Sequence, residues 1–102
     1  MFQSRVPLRK LGQMPETYDL KDVPIPEGYR LVRAQGVGYQ IVLNNPGPDD
    51  PAPGSVELNG DDIVYTVYPS APGAMDLFDA LVRFWATKGV KLGFEDVKNE
   101  NK

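Results

Sequence analysis

Residues 72–88 read PGAMDLFDALVRFWATK, and their spacing decides the fold. Ala74, Leu77, Phe78, Leu81 and Trp85 recur at steps of three and four, and Met75, Val82 and Phe84 widen the stripe. Side chains so spaced lie above one another on a helix, which gives it one apolar face. Asp76, Asp79, Arg83 and Thr87 fall mainly on the other side. Ser70 is the expected N-cap and Pro72 suits the first turn. Asp76 sits near the positive end of the helix dipole. Asp79 and Arg83 stand four apart and are placed to pair, for roughly 0.3 kcal/mol. Gly89 is the expected left-handed residue that ends the helix. A helix of this length is stable only against a partner layer, so Trp85 reads as core rather than as a recognition residue.

The flanks supply that layer. Upstream, 55–59 and 62–68 form an expected hairpin, with Asn59-Gly60 as the turn. Val56 and Leu58 share one face, and Ile63, Tyr65 and Val67 share the next strand's face. Further upstream, 29–34 and 37–43 are rich in strand formers and flank Gly36, which predicts a second hairpin. Arg30 and Arg33 cannot project to the same side at strand period. Downstream, Val90, Leu92 and Phe94 alternate and predict a short last strand at an edge. Between the hairpins, 44–54 reads NNPGPDDPAPG, a long proline-rich loop. No basic anchor accompanies its prolines, which argues against proline-rich recognition by SH3-like partners.

The fold expected is α+β. A small, mostly antiparallel sheet of about four or five strands is covered on one face by a single main helix, in the order β-β-β-β-α-β. Residues 1–27 read as an irregular, proline-containing N-terminal arm, 28–94 as the compact domain, and 95–102 as a polar tail. The arm carries Arg5, Arg9 and Lys10.

Composition narrows the chemistry. The 102 residues suit one domain. Surface scaling gives roughly 5,700 Å² exposed when folded, against roughly 16,000 Å² extended, enough for one core but not for an enclosed cofactor chamber. The formal charge is −3, with eleven basic and fourteen acidic residues, which opposes nonspecific attraction to nucleic acid. There is no cysteine and no histidine, so thiolate chemistry and the commonest general base are missing. No apolar run approaches the roughly twenty residues of a membrane span, and MFQSRVPLRK lacks the apolar core of a signal peptide. The cytoplasm is the default location, or the host cytoplasm or virion for a viral chain.

Charge is segregated along the chain. From Ala34 through Val82 there is no Lys or Arg, while Asp49, Asp50, Glu57, Asp61, Asp62, Asp76 and Asp79 all fall there. If the hairpin tip and the helix start converge, they form an acidic pole that steers toward a basic protein surface.

The catalytic readings are weak. Neither Asp49-Asp50 nor Asp61-Asp62 has EF-hand spacing, and a glycosidase-like carboxylate pair requires a cleft between the two groups. Ser70, with Lys88 or Lys91 as a conceivable partner, fits a helix cap better than a nucleophile. Gly36-x-Gly38 lacks the P-loop pattern.

The function expected from sequence is a small, noncatalytic protein-interaction module without cofactor or metal. It acts by steric occupation guided by an acidic surface, and its economy fits a virally encoded inhibitor, regulator or virion component. Its partner-binding residues are Asp49, Asp50, Asp61, Asp62, Tyr65 and Tyr68, and its partner is a protein with a basic surface rather than a membrane. Two alternatives stand beside it. One is a single-stranded nucleic-acid module using Tyr29, Arg30 and Arg33. The other is a structural homo-oligomer subunit.

Overall fold

The computed structural model describes residues 1–14, 16–33, 38–44 and 51–97. Strands β1 (Phe2–Pro7), β2 (Tyr29–Arg33), β3 (Tyr39–Leu43), β4 (Gly54–Asn59), β5 (Asp62–Val67) and β6 (Glu95–Asp96) form one antiparallel sheet in the order β2-β3-β4-β5-β1-β6. Helix α1 (Ala74–Thr87) covers one face. The expected architecture holds, but the sheet has six strands rather than four or five.

The extra strand comes from the stretch expected to be an irregular arm. β1 lies between β5 and β6, pairing Phe2 with Val67, Ser4 with Tyr65 and Val6 with Ile63. Directly paired residues share a face. Phe2, Ser4 and Val6 therefore join Ile63, Tyr65 and Val67 under the helix, while Gln3 and Arg5 point away. The segment alternates at strand period, but Arg5 and Pro7 disguise it as a basic arm. The last strand is also displaced. Residues 90–94 form no ladder, although Leu92 is buried and Val90 and Phe94 pack on the core. Pairing with β1 begins only at Glu95.

Helix α1 buries Ala74, Leu77, Leu81 and Trp85, all drawn from the expected stripe. Trp85 is fully buried and meets Tyr65 edge-on at 6.1 Å between ring centres. Phe78 meets Phe2 edge-on at 5.6 Å and Phe94 at a tilt at 4.6 Å. The helix start differs from expectation. Gly73, at φ 78°, is the N-cap, and Ser70 lies exposed in the preceding turn. The helix end follows expectation: Gly89 takes φ 80°, its N–H reaches the Ala86 carbonyl, and the Val90 N–H reaches that of Trp85. That pair of bonds is a Schellman motif. Arg83 Nε lies 3.1 Å from Asp79 Oδ2, as the spacing implies.

The β4–β5 turn is Gly60-Asp61, closed by the Asn59–Asp62 pair, with Gly60 at φ 61°. That is the position type II′ turns give to glycine, one residue later than an Asn-Gly turn would sit. Gly54 marks a close approach of helix and sheet. A Cβ there would come within 2.6 Å of both Leu77 Cδ2 and the Thr66 carbonyl oxygen.

Candidate functional site

Among the described residues, the acidic turn of the β4–β5 hairpin and the acidic start of the helix stand apart. Asp61 and Asp62 sit at the start of β5, while Asp76 lies in the first turn of α1, beyond the end of the same strand. Six strand residues separate the two groups, roughly 20 Å. Asp49 and Asp50, with Gly36 and residues 45–50 of the proline-rich segment, lie outside the described residues. Pairing of β1 with β5 also carries the basic arm onto the acidic turn. Arg5 Nη1 lies 3.7 Å from Asp62 Oδ2, and the Leu8 N–H donates to the Asp61 carbonyl, which sets Arg9 and Lys10 beside the turn. Charges segregated in sequence are thus interleaved in space. Among the described residues no three carboxylates converge on a cation position.

The two candidate tyrosines separate as well. Tyr65 is fully buried under α1 and its hydroxyl donates to the Pro24 carbonyl at 2.6 Å, so it is a core residue and no surface anchor. Burial pushes its hydroxyl well above the ordinary tyrosine range. The Trp85 side chain acts against that shift, and its Nε1 is buried without a hydrogen-bond partner among the described residues. Tyr68 is half-buried on the outer face, its hydroxyl 2.9 Å from Ser55 Oγ.

The described residues line several surface depressions. One of about 340 Å³ lies between the 3-10 turn at 20–22 and the C-terminal end of α1, and its walls include Tyr18, Asp19, Asp22 and Lys88. The Tyr18 hydroxyl is raised above its usual value, first by burial and then by Asp22 and Asp19. That hydroxyl is itself shielded from solvent, so it does not face an occupant. Asp19 is committed to capping the Lys21 N–H. A polar depression of about 470 Å³ lies along Gln3, Arg5 and Glu95. An apolar one of about 310 Å³ lies along Val82, Ala86 and Val90.

The alternative set of Tyr29, Arg30 and Arg33 lies together on β2, but in two layers. Arg33 pairs with Tyr39 and Tyr29 with Leu43, on the helix side, whereas Arg30 pairs with Val42 on the outer face. The two arginines flank the strand instead of lining one groove.

β2 has a property that sequence reasoning missed. It ends the sheet and pairs only with β3 among the described residues. The Asn44 N–H bonds the Gly28 carbonyl, which fixes the ladder phase. Gly28, Arg30 and Val32 turn their backbone groups toward β3, and Tyr29, Leu31 and Arg33 turn theirs outward. No described residue bonds those outward groups. None of the β2 side chains is buried, in contrast to β5. The opposite edge is the two-residue β6, too short to template a strand.

Comparison with family models, curated proteins and solved structures finds no match to the chain. Among the described residues no helix is long and apolar enough to cross a membrane.

Proposed function

We propose that this chain is a small, noncatalytic protein-interaction module that binds by strand addition along β2. The observation that carries the reading is the outward row of N–H and C=O groups on Tyr29, Leu31 and Arg33. An edge of this kind offers backbone bonds for affinity and alternating side-chain positions for specificity. Arg30 and Arg33 on the strand and Asp76 beside its start supply the charge guidance. This contact replaces an acidic pole as the route to steric occupation, since Arg5 lies against Asp62 at the hairpin turn.

Affinity capture from the native cell with wild type and Leu31→Pro tests the reading. The proline removes an N–H that points away from β3, so the intrachain ladder keeps its bonds. The expected result is a partner retained by wild type and lost by the variant at low and moderate salt. Equal capture by both, with the variant folded, would exclude the β2 edge. Single-stranded nucleic acid is disfavoured by the placement of Arg30 and Arg33 on opposite faces.

A further inference from the structure

The β2 edge is self-complementary in one register. In an antiparallel pairing of two β2 strands, only outward-facing residues exchange backbone bonds. Setting Leu31 opposite Leu31 of a second copy pairs Tyr29 with Arg33 and Arg33 with Tyr29. Every outward N–H and C=O of both strands then finds a partner. Sliding two residues one way sets Arg30 directly against Arg30 and leaves outward groups of Arg33 unmatched. Sliding two the other way sets Tyr29 beyond the described end of the other strand. The register that satisfies most of the backbone also sets Arg30 against Val32, so no arginine directly opposes another.

Charge supports the same register. Neither Arg33 nor Asp76 belongs to an ion pair among the described residues. A Cβ on Gly73 would lie 3.7 Å from Leu43, the residue paired with Tyr29, so the first turn of α1 stands over the start of β2. Asp76, in that turn, is close enough to Tyr29 to help raise its hydroxyl pKa, after burial. A cation set opposite Tyr29 on the helix side of the edge would therefore lie in the field of Asp76 as well. In this register that cation is an arginine.

We infer that β2 is a homodimerisation edge: two copies pair their β2 strands antiparallel about a twofold axis at Leu31, with Arg33 of each set against Tyr29 and Asp76 of the other. The result is one sheet continued through both copies, with both helices on the same side. Leu31 meets its twin at the centre, and the tyrosine ring and carboxylate receive the guanidinium at each end. The inference rests on the strand-addition reading and names the second copy as the added strand.

Sedimentation equilibrium of the full chain, at low and moderate salt, tests it. Wild type is expected to show a concentration-dependent monomer–dimer equilibrium that weakens as salt screens the flanking pairs. Leu31→Pro is expected to be monomeric, and to melt like wild type at concentrations low enough for both to be monomers. Arg33→Asp and Asp76→Arg are each expected to weaken the dimer about tenfold or more, since each sets like charges together. The double variant is expected to recover it, because the pair is reversed rather than removed. Should Leu31→Pro fail to fold, the charge-reversal series at exposed positions decides alone. A wild type that stays monomeric at about 100 μM overturns the inference. So does a dimer indifferent to Leu31→Pro or to both single reversals. A monomeric wild type whose captured partner is still lost on Leu31→Pro removes the second copy but keeps strand addition. Partner capture indifferent to that variant removes strand addition itself.

Discussion

Tyr65 shows how one side chain can serve the core and still be sensitive to solution conditions. It is fully buried, packs edge-on against Trp85, and spends its hydroxyl on the Pro24 carbonyl, fastening the segment before β2 to the underside of the sheet. Burial holds the hydroxyl neutral, so its folded pKa lies above the ordinary 10.0. Above that ordinary value the unfolded chain releases a proton that the folded chain retains. The associated stability is complete below about pH 10 and is lost as pH rises toward the folded pKa, by up to about 1.4 kcal/mol per pH unit. Tyr65→Phe is expected to cost about 1–3 kcal/mol at neutral pH, because the Pro24 carbonyl loses its donor. The same variant is expected to flatten the alkaline fall. Urea titrations from neutral pH to above pH 10 measure both, and an unchanged slope in the variant would remove Tyr65 as the titrating group.

β1 is the element whose role differs most from its appearance. It fills the gap between β5 and β6, so β5 is paired on both edges and its Ile63, Val64, Tyr65 and Val67 are almost completely shielded. Val6 is fully buried and Phe2 packs on Phe78. Such side chains contribute roughly 1.5–3 kcal/mol each when fully buried, against a typical total stability of about 5–15 kcal/mol. Removing residues 1–7 also exposes one edge of β5. The truncated chain is expected to lose its cooperative thermal transition and most of its near-ultraviolet circular dichroism. A truncation that melts like the full chain would show that β1 is a dispensable arm.

The whole molecule is held by its core and not by its charges. The hydrophobic cluster joins β1, β3, β4, β5 and α1 with Leu8, Val23 and Leu92 from the connecting segments. Among the described residues the side-chain ion pairs lie at the surface: Arg5–Asp62 at 3.7 Å, Lys21–Asp19 at 3.6 Å and Arg83–Asp79 at 3.1 Å. Exposed pairs of this kind contribute about 0–1 kcal/mol and are screened by salt. Asp62→Asn is therefore expected to shift stability by less than about 1 kcal/mol. Trp85, the single tryptophan, reports the outcome: its emission is expected to stay blue-shifted and shielded from soluble quenchers in that variant. A red-shifted spectrum would mean that the turn pair reaches the core.

Local periodicity was enough to place α1 and the two hairpins. The three- and four-residue spacing from Ala74 to Trp85 and the alternation from Ile63 to Val67 each express a burial pattern within a single element. It also anticipated that Arg30 and Arg33 would part, because odd spacing on a strand always separates faces. The remaining features depend on residues far apart in the chain. Whether FQSRVP is a strand depends on the open edge of β5, about sixty positions away, and a six-residue alternation with an arginine inside it reads equally well as a basic arm. Whether the Asp61-Asp62 turn is an acidic pole depends on Arg5 arriving from the other end of the sequence. Whether Tyr65 is anchor or core depends on which side of the sheet the helix lies. Whether β2 is an edge depends on where the chain places its other strands. Spacing along a chain fixes the face on which a side chain stands, and only the folded arrangement of elements sets what that face meets.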